Sequence, residues 1–218
     1  MNKIAIFDLD GTLLDTIADL AAAANHALDS FGYPTHETNA YRFFTGSGLN
    51  MLFFRALPED ARNEEEVLKV RQAFVDYYRL HSEDTTAPYS GIRELLMDLS
   101  AQGVALAVAS NKYQEATREL VAKYFPEIEF AAVFGQREGI PVKPDPRIIE
   151  DILLATGYSK ENVFYVGDSD VDMLTAKGAG VKGIGVTWGF RPKEELQLHE
   201  PFAMADTPSE VARICLGL

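Results

Sequence analysis

The chain has 218 residues, which fits one large domain or a core with a modest second module. Apolar residues make up 47% of it, enough for a packed core and too many for a disordered chain. The formal charge of −13 disfavours nucleic acid and anionic membranes as partners, and no apolar run approaches the length of a membrane span.

The elements read as follows in chain order. Lys3–Asp8 is apolar and β-branched and reads as a buried strand. Its apolar run, Ile4 to Phe7, is too short for a signal segment, so the expectation is a cytoplasmic protein. From Thr16 to about Thr86 the pattern is helical, without a convincing strand. Ile17, Leu20, Ala21, Ala24, Leu28 and Phe31 fall on one face of a first helix. Asp15 or Thr16 can cap its start, and Gly32 with Pro34 can end it. The run Glu64-Glu65-Glu66 reads as a solvated helix start. Phe74, Tyr77, Tyr78 and Leu80 belong to a later helix.

After this region helices and strands alternate. Helices are predicted at Ile92–Gln102, Gln114–Tyr124 and Arg147–Thr156, and strands at Val104–Ala109, Ala131–Phe134, Val163–Gly167 and Gly183–Thr187. The alternation predicts an α/β fold, a Rossmann-like doubly wound parallel sheet. Residues 1–14 and 87–218 would form this core, and 15–86 an inserted helical module. Cys215 is the only cysteine, so no internal disulfide forms. The last four residues superficially fit a prenylation box, but Val211, Ile214 and Cys215 share a helical spacing that points Cys215 inward.

Four segments concentrate chemistry, each at the C-terminal end of a strand or in the loop leading into a helix, the side on which such sheets bind ligands. The first is Asp8-Leu9-Asp10-Gly11-Thr12. Asp8 and Asp10, two apart on an extended chain, can face one ligand. Their repulsion calls for a hard divalent cation or for one carboxyl that keeps its proton. Phosphoryl transfer can use both arrangements, with one Asp as nucleophile and the other as acid and base. The second is Ser110-Asn111-Lys112, which suits a phosphate oxygen and equally an ordinary turn or cap. The third is Val142-Lys143-Pro144-Asp145-Pro146, where two prolines fix a lysine, either toward a phosphate or toward solvent. The fourth is Gly167-Asp168-Ser169-Asp170-Val171-Asp172, whose acids suit a hard cation. It is not a calcium-sensor loop, since Met173 and Ala179 stand where that loop needs Gly and Glu. Asp170 can equally be a surface acid or a cap. A chain this acidic repels a phosphorylated ligand, so a cation and placed lysines are required locally.

The ordered set Asp8-Leu9-Asp10-Gly11-Thr12, Ser110, Lys143 and Gly167-Asp168 with Asp172 resembles the haloacid dehalogenase-like hydrolase superfamily over essentially the whole chain. The helical insert is similar to that superfamily's cap domain. Tyr89-Ser90-Gly91, Ser110-Asn111-Lys112 and Gly185-Val186-Thr187-Trp188-Gly189 are similar to the phosphoglycolate phosphatases within it, although Phe134-Gly135-Gln136-Arg137 departs from their usual Gly-Gly-Asp. The resemblance implies that the first and fourth strands are neighbours. It implies Asp8 as nucleophile and Asp10 as general acid and base. Thr12, Ser110, Asn111 and Lys143 would hold the phosphoryl group. Mg²⁺ would be bound by Asp8, Asp10 (through its carbonyl) and Asp168, with Asp172 one layer further out. Arg42, Gly46, Ser47 and Gly48 would select the substrate from the cap. The expected activity is a Mg²⁺-dependent phosphatase acting on a small phosphorylated metabolite of the phosphoglycolate kind through an aspartyl phosphate. A phosphomutase resembling β-phosphoglucomutase, or a pyrophosphatase or nucleotidase, is the alternative. A dehalogenase would need neither Asp10 nor a metal, and a retired binding module would not need the complete set. Monomer and homodimer both remain open.

Overall fold

The computed structural model describes residues 3–218. The chain divides into two compact units: residues up to Leu14 together with Pro88–Leu218, and Asp15–Ala87. The two crossings between them, β2 (Leu14–Asp15) and β3 (Ala87–Pro88), pair as a two-stranded sheet.

The first unit is built on six strands: β1 (Ile4–Phe7), β4 (Ala105–Tyr113), β5 (Ala132–Gln136), β6 (Val163–Gly167), β7 (Lys182–Val186) and β8 (Ala203–Ala205). Their order is β5-β4-β1-β6-β7-β8, and every pairing is parallel. Alternate residues of each strand enter different cores. Ala5, Phe7, Leu106, Val108, Phe164 and Val166 pack with α5 (Ile92–Ala101), α6 (Gln114–Tyr124) and the last helix, Pro208–Leu216. Ile4, Ile6, Ala107, Val163 and Tyr165 pack with α7 (Arg147–Thr156) and α8 (Asp170–Ala179). A strand covered on both faces needs apolar residues at every position, which is why these segments read as continuous apolar runs. Each large apolar side chain sealed here contributes about 2 kcal/mol. Cys215 is buried in the first core, as its spacing predicted, and burial pushes its thiol up to about 12.

The register places the chemistry. Phe7 lies opposite Val108 on one side and Val166 on the other. The segments after β1, within β4 and after β6 therefore leave the sheet side by side, with the first and fourth predicted strands adjacent. Two features differ from the sequence reading. β4 runs past Ala109 to Tyr113, with a register shift between those residues. β8 was not predicted, because Ala203-Met204-Ala205 is short and lacks β-branched residues.

The second unit holds α1 (Ile17–Ser30), α2 (Thr38–Phe44), α3 (Leu49–Ala56) and α4 (Glu64–His81). The apolar stripe of α1 is buried from Ile17 to Leu28, but Phe31, beyond the helix end, is exposed. Thr16 stands at the cap position of α1 without a side-chain cap bond. At α4 the side chain of Asn63 accepts from Glu66 N at 3.0 Å, so the acidic run is a helix start at the positive end of the helix dipole. Among the described residues no helix is long and apolar enough to cross a membrane.

One buried polar knot closes this unit. Asp19, on the first turn of α1, accepts from Thr85 N at 3.0 Å, Thr86 N at 2.9 Å, Thr85 Oγ1 at 2.5 Å and Thr86 Oγ1 at 2.8 Å. It ties the first residues of the unit to its last. Burial opposes the charge, yet these donors hold the Asp19 carboxyl below its ordinary value. Asp19→Asn turns an amide donor toward donors and is expected to destabilise the unit by about 2 kcal/mol in urea unfolding at pH 7. A depressed carboxyl contributes stability above its unfolded pKa of about 3.9 and loses it as pH falls through the folded value. The gap between wild type and variant should therefore narrow below pH ~4; a gap independent of pH would contradict the assignment.

Candidate active site

Lys143 places an ammonium at the centre of the site, and its side chain is 2% exposed. Its Nζ lies 2.9 Å from Asp8 Oδ1 and 2.7 Å from Asp172 Oδ1, and it donates to Tyr165 Oη at 2.8 Å and Ala109 O at 3.2 Å. Burial opposes its charge, but Asp172 and Asp8 outweigh that and hold the ammonium above its ordinary pKa. The sequence left this lysine open to either solvent or a ligand; the structure turns it inward.

Asp8 follows β1. Its Oδ1 accepts from Leu9 N at 2.7 Å in addition to the contact with Lys143. No hydrogen bond from a described residue reaches Oδ2. One oxygen is thus fixed and the other is left for chemistry. Burial holds the Asp8 carboxyl well above the usual carboxylate range, against the pull of Lys143, and the charges of Asp172 and Asp168 add to the rise.

Asp168 follows β6 and is buried. Its Oδ1 accepts from Thr12 Oγ1 at 2.9 Å and its Oδ2 from Phe190 N at 2.7 Å. Burial and the adjacent Asp172 push it up to about 7, against the hydrogen bonds from Phe190 and Thr12. Two glycines make room for it. A side chain at Gly11, whose φ is +88°, or at Gly189 would collide with the Asp168 carboxylate.

Asp172 is fully occupied. Oδ1 takes Lys143 Nζ and Tyr165 Oη, and Oδ2 accepts from Ser169 N at 3.1 Å and Ser169 Oγ at 2.6 Å. These last contacts belong to the capping box that starts α8. Asp172 therefore orients Lys143 and has no oxygen left to spare for an ion. Asp170 begins the same helix and stands outside this cluster.

One ligand oxygen from each of Asp8, Asp168 and Asp172 lies within 4.8 Å of the others. Three buried carboxylates face one buried ammonium, an excess of negative charge that one divalent cation would neutralise. Hard oxygen donors of this kind suit Mg²⁺, and Asp8 and Asp168 are the pair not saturated by protein donors in the manner of Asp172. The donor set fits a divalent metal.

The remaining predicted residues divide. Ser110 is buried within β4, where its Oγ accepts from Lys112 N at 3.2 Å, which leaves its proton for a ligand. Thr12 and Asn111 each bind a charged residue of the cluster through their side chains. The Thr12 hydroxyl donates to Asp168 Oδ1 at 2.9 Å. The Asn111 side chain clamps the main chain of Lys143, donating to Lys143 O at 3.0 Å and accepting from Lys143 N at 2.8 Å. Both orient charged groups. Asp10 is 20% exposed at its side chain and lies 3.1 Å from Lys112 Nζ. Arg42, Gly46, Ser47 and Gly48 sit together in the helical unit, on α2 and the corner into α3. There Arg55 donates to Phe44 O at 3.1 Å and to Ser47 Oγ at 3.2 Å, fixing that corner.

The sequence did not point to Tyr165, Ser169 or Phe190, and it assigned Lys112 and Gly189 no role. Trp188 also belongs here, donating to Thr12 O at 3.0 Å and holding the first motif against the loop after β7. Lys112, Trp188 and Gly189 lay inside segments that carried the family likeness, which was the available signal. Tyr165 read as part of a buried strand, and no predicted element or motif covered Phe190.

The model of the haloacid dehalogenase-like hydrolases matches residues 5–186. The phosphoglycolate phosphatase of Vibrio parahaemolyticus is 31% identical over 97% of this chain and 95% of its own length. That of Agrobacterium fabrum is 34% identical over 94% of this chain and 89% of its own. A crystal structure from Lactobacillus delbrueckii subsp. bulgaricus, provisionally named a phosphoglycolate phosphatase, superposes with a TM-score of 0.94 at 34% identity, covering 100% of both chains. The chain therefore belongs to the haloacid dehalogenase-like hydrolase family.

Proposed function

We propose that the chain is a Mg²⁺-dependent phosphatase that transfers the phosphoryl group of a small, phosphoglycolate-like monoester first to Asp8 and then to water. The observation that carries this reading is the half-engaged Asp8 carboxylate, with Oδ1 held by Lys143 at 2.9 Å and by Leu9 N at 2.7 Å. Oδ2 attacks phosphorus as the ester P–O bond breaks, and the Asp10 carboxyl gives its proton to the departing alkoxide. Asp10 then takes a proton from water, whose oxygen displaces Asp8 from phosphorus. Ser110 donates its hydroxyl proton to a phosphoryl oxygen, and Lys143 lowers the repulsion between two anions. Thr12 and Phe190 N hold Asp168 in place, and Asn111 holds the main chain of Lys143. Mg²⁺, bound by Asp8, Asp168 and the Asp10 carbonyl, would supply the positive charge that this anionic reaction requires. The α2–α3 corner, with Arg42 and Gly46–Gly48, is proposed to select among esters, and the chain is proposed to act in the cytoplasm.

Asp8→Asn is expected to lower phosphate release by about a thousandfold or more without changing the far-UV circular dichroism. Retained turnover would rule out the covalent route. A chelator should stop turnover and Mg²⁺ should restore it.

Metal and pH should also be linked in stability. The carboxyl of Asp168 is raised in the folded chain to about 7. A raised carboxyl contributes stability at low pH and loses it as pH rises through the folded value. The chelated protein should therefore melt at a lower temperature at pH 8 than at pH 6. Mg²⁺ should recover more of the melting temperature at pH 8, where it does not compete with the proton. Equal Mg²⁺ shifts at both pH values would argue against these carboxylates as the ligands.

A further inference from the structure

We propose that Lys112 determines specificity by receiving a second negative charge on the leaving group, so that the preferred substrates are phosphate esters of short hydroxy acids. The proposal rests on the phosphatase reading above. Lys112 Nζ is 3.1 Å from the Asp10 carboxylate, and the lysine side chain is 6% exposed, so this cation is held in the site and not in bulk water. β4 delivers it there across the register shift between Ala109 and Tyr113: Ser110 turns its hydroxyl inward, Asn111 clamps Lys143, and Lys112 reaches Asp10.

Reach decides what Lys112 can touch. Asp10 protonates the ester oxygen, so the two oxygens approach to about 2.7 Å. A group hydrogen-bonded to Asp10 then lies within roughly 6 Å of the ester oxygen. In a two-carbon hydroxy acid the carboxylate oxygens lie roughly 3 Å from that same oxygen. One further charge-assisted hydrogen bond, about 2.8 Å long, spans the remainder. An ammonium has three protons that rotate about one bond, which allows it to be shared between Asp10 and the incoming carboxylate.

Lys143 cannot take this part. Its Nζ already has four partners, Asp8, Asp172, Tyr165 and Ala109, for three protons. An anionic leaving group would otherwise meet Asp8, Asp10 and Asp168 on a chain of charge −13. An ester whose far end is neutral gains nothing from Lys112.

The test compares phosphoglycolate with 2-hydroxyethyl phosphate, which has the same carbon count and no carboxylate, on wild type, Lys112→Met and Lys112→Arg, with p-nitrophenyl phosphate reporting the chemistry. Wild type is expected to favour phosphoglycolate in kcat/KM. Lys112→Met should cut that preference by about tenfold or more, chiefly through KM, the scale of one charge-assisted hydrogen bond. Lys112→Arg should keep part of it. An equal loss on both esters would make Lys112 a mere support for Asp10 and overturn the proposal. So would a wild type that hydrolyses p-nitrophenyl phosphate yet shows no preference between the esters. A wild type that hydrolyses none of the three would overturn the phosphatase reading, and the proposal with it.

Discussion

The buried ammonium of Lys143 is the interaction on which the site depends. A charge taken out of water costs several kcal/mol and is tolerated only with close, well-placed counter-charges. Asp8 and Asp172 provide them at 2.9 and 2.7 Å. Each partner is fixed in turn by an element of the fold. Asp172 belongs to the capping box of α8, Asp8 is set by the end of β1, and Tyr165 of β6 adds its hydroxyl. Removing one member of such a group costs about 3–5 kcal/mol, because the other is left charged and alone. Folding of the sheet edge and assembly of the site are thus one event.

The same arrangement carries an unbalanced charge. Lys143 offsets one carboxylate, while Asp8, Asp168 and Asp172 crowd together. In the chain alone burial, together with this excess, holds the carboxyls of Asp8 and Asp168 above their ordinary values. Neutral donors reach Asp172, both oxygens of Asp168 and one oxygen of Asp8, and the other oxygen of Asp8 has no donor among the described residues. That economy suits a site completed by a divalent cation and an anionic ligand, and it would be a poor way to stabilise a fold for its own sake.

Much of this was legible in the sequence because it is local. Apolar runs ending in acids marked β1 and β6, and period-2 burial on both faces explains why those runs are unbroken. The acids and Lys143 could be named because few residue types serve such chemistry. What the sequence hid is long-range and polar. Thr12 and Asp168 are 156 residues apart, and only the adjacency of β1 and β6 shows that the threonine hydroxyl belongs to Asp168. Asn111 and Lys143 are 32 apart, and no local rule says that an amide after a strand will hold the main chain of a later loop. β8 escaped because its pairing with β7, and not its composition, makes Ala203-Met204-Ala205 a strand.

The division of labour proposed for Asp8 and Asp10 rests on these contacts and not on their spacing. Two residues apart on an extended chain, they face the same way and would be chemically alike. The turn at Gly11 ends that likeness, bending the chain so that Gly11 N donates to Leu14 O at 2.8 Å. Asp8 remains 8% exposed, under the fixed charge of Lys143 and beside two further carboxylates. Asp10 is more open, 20% exposed at its side chain, and meets a different lysine, Lys112, at 3.1 Å. A nucleophile needs a geometry that does not vary, whereas an acid and base must meet leaving groups and water in turn. Each carboxylate thus has its own lysine, Lys143 for Asp8 and Lys112 for Asp10.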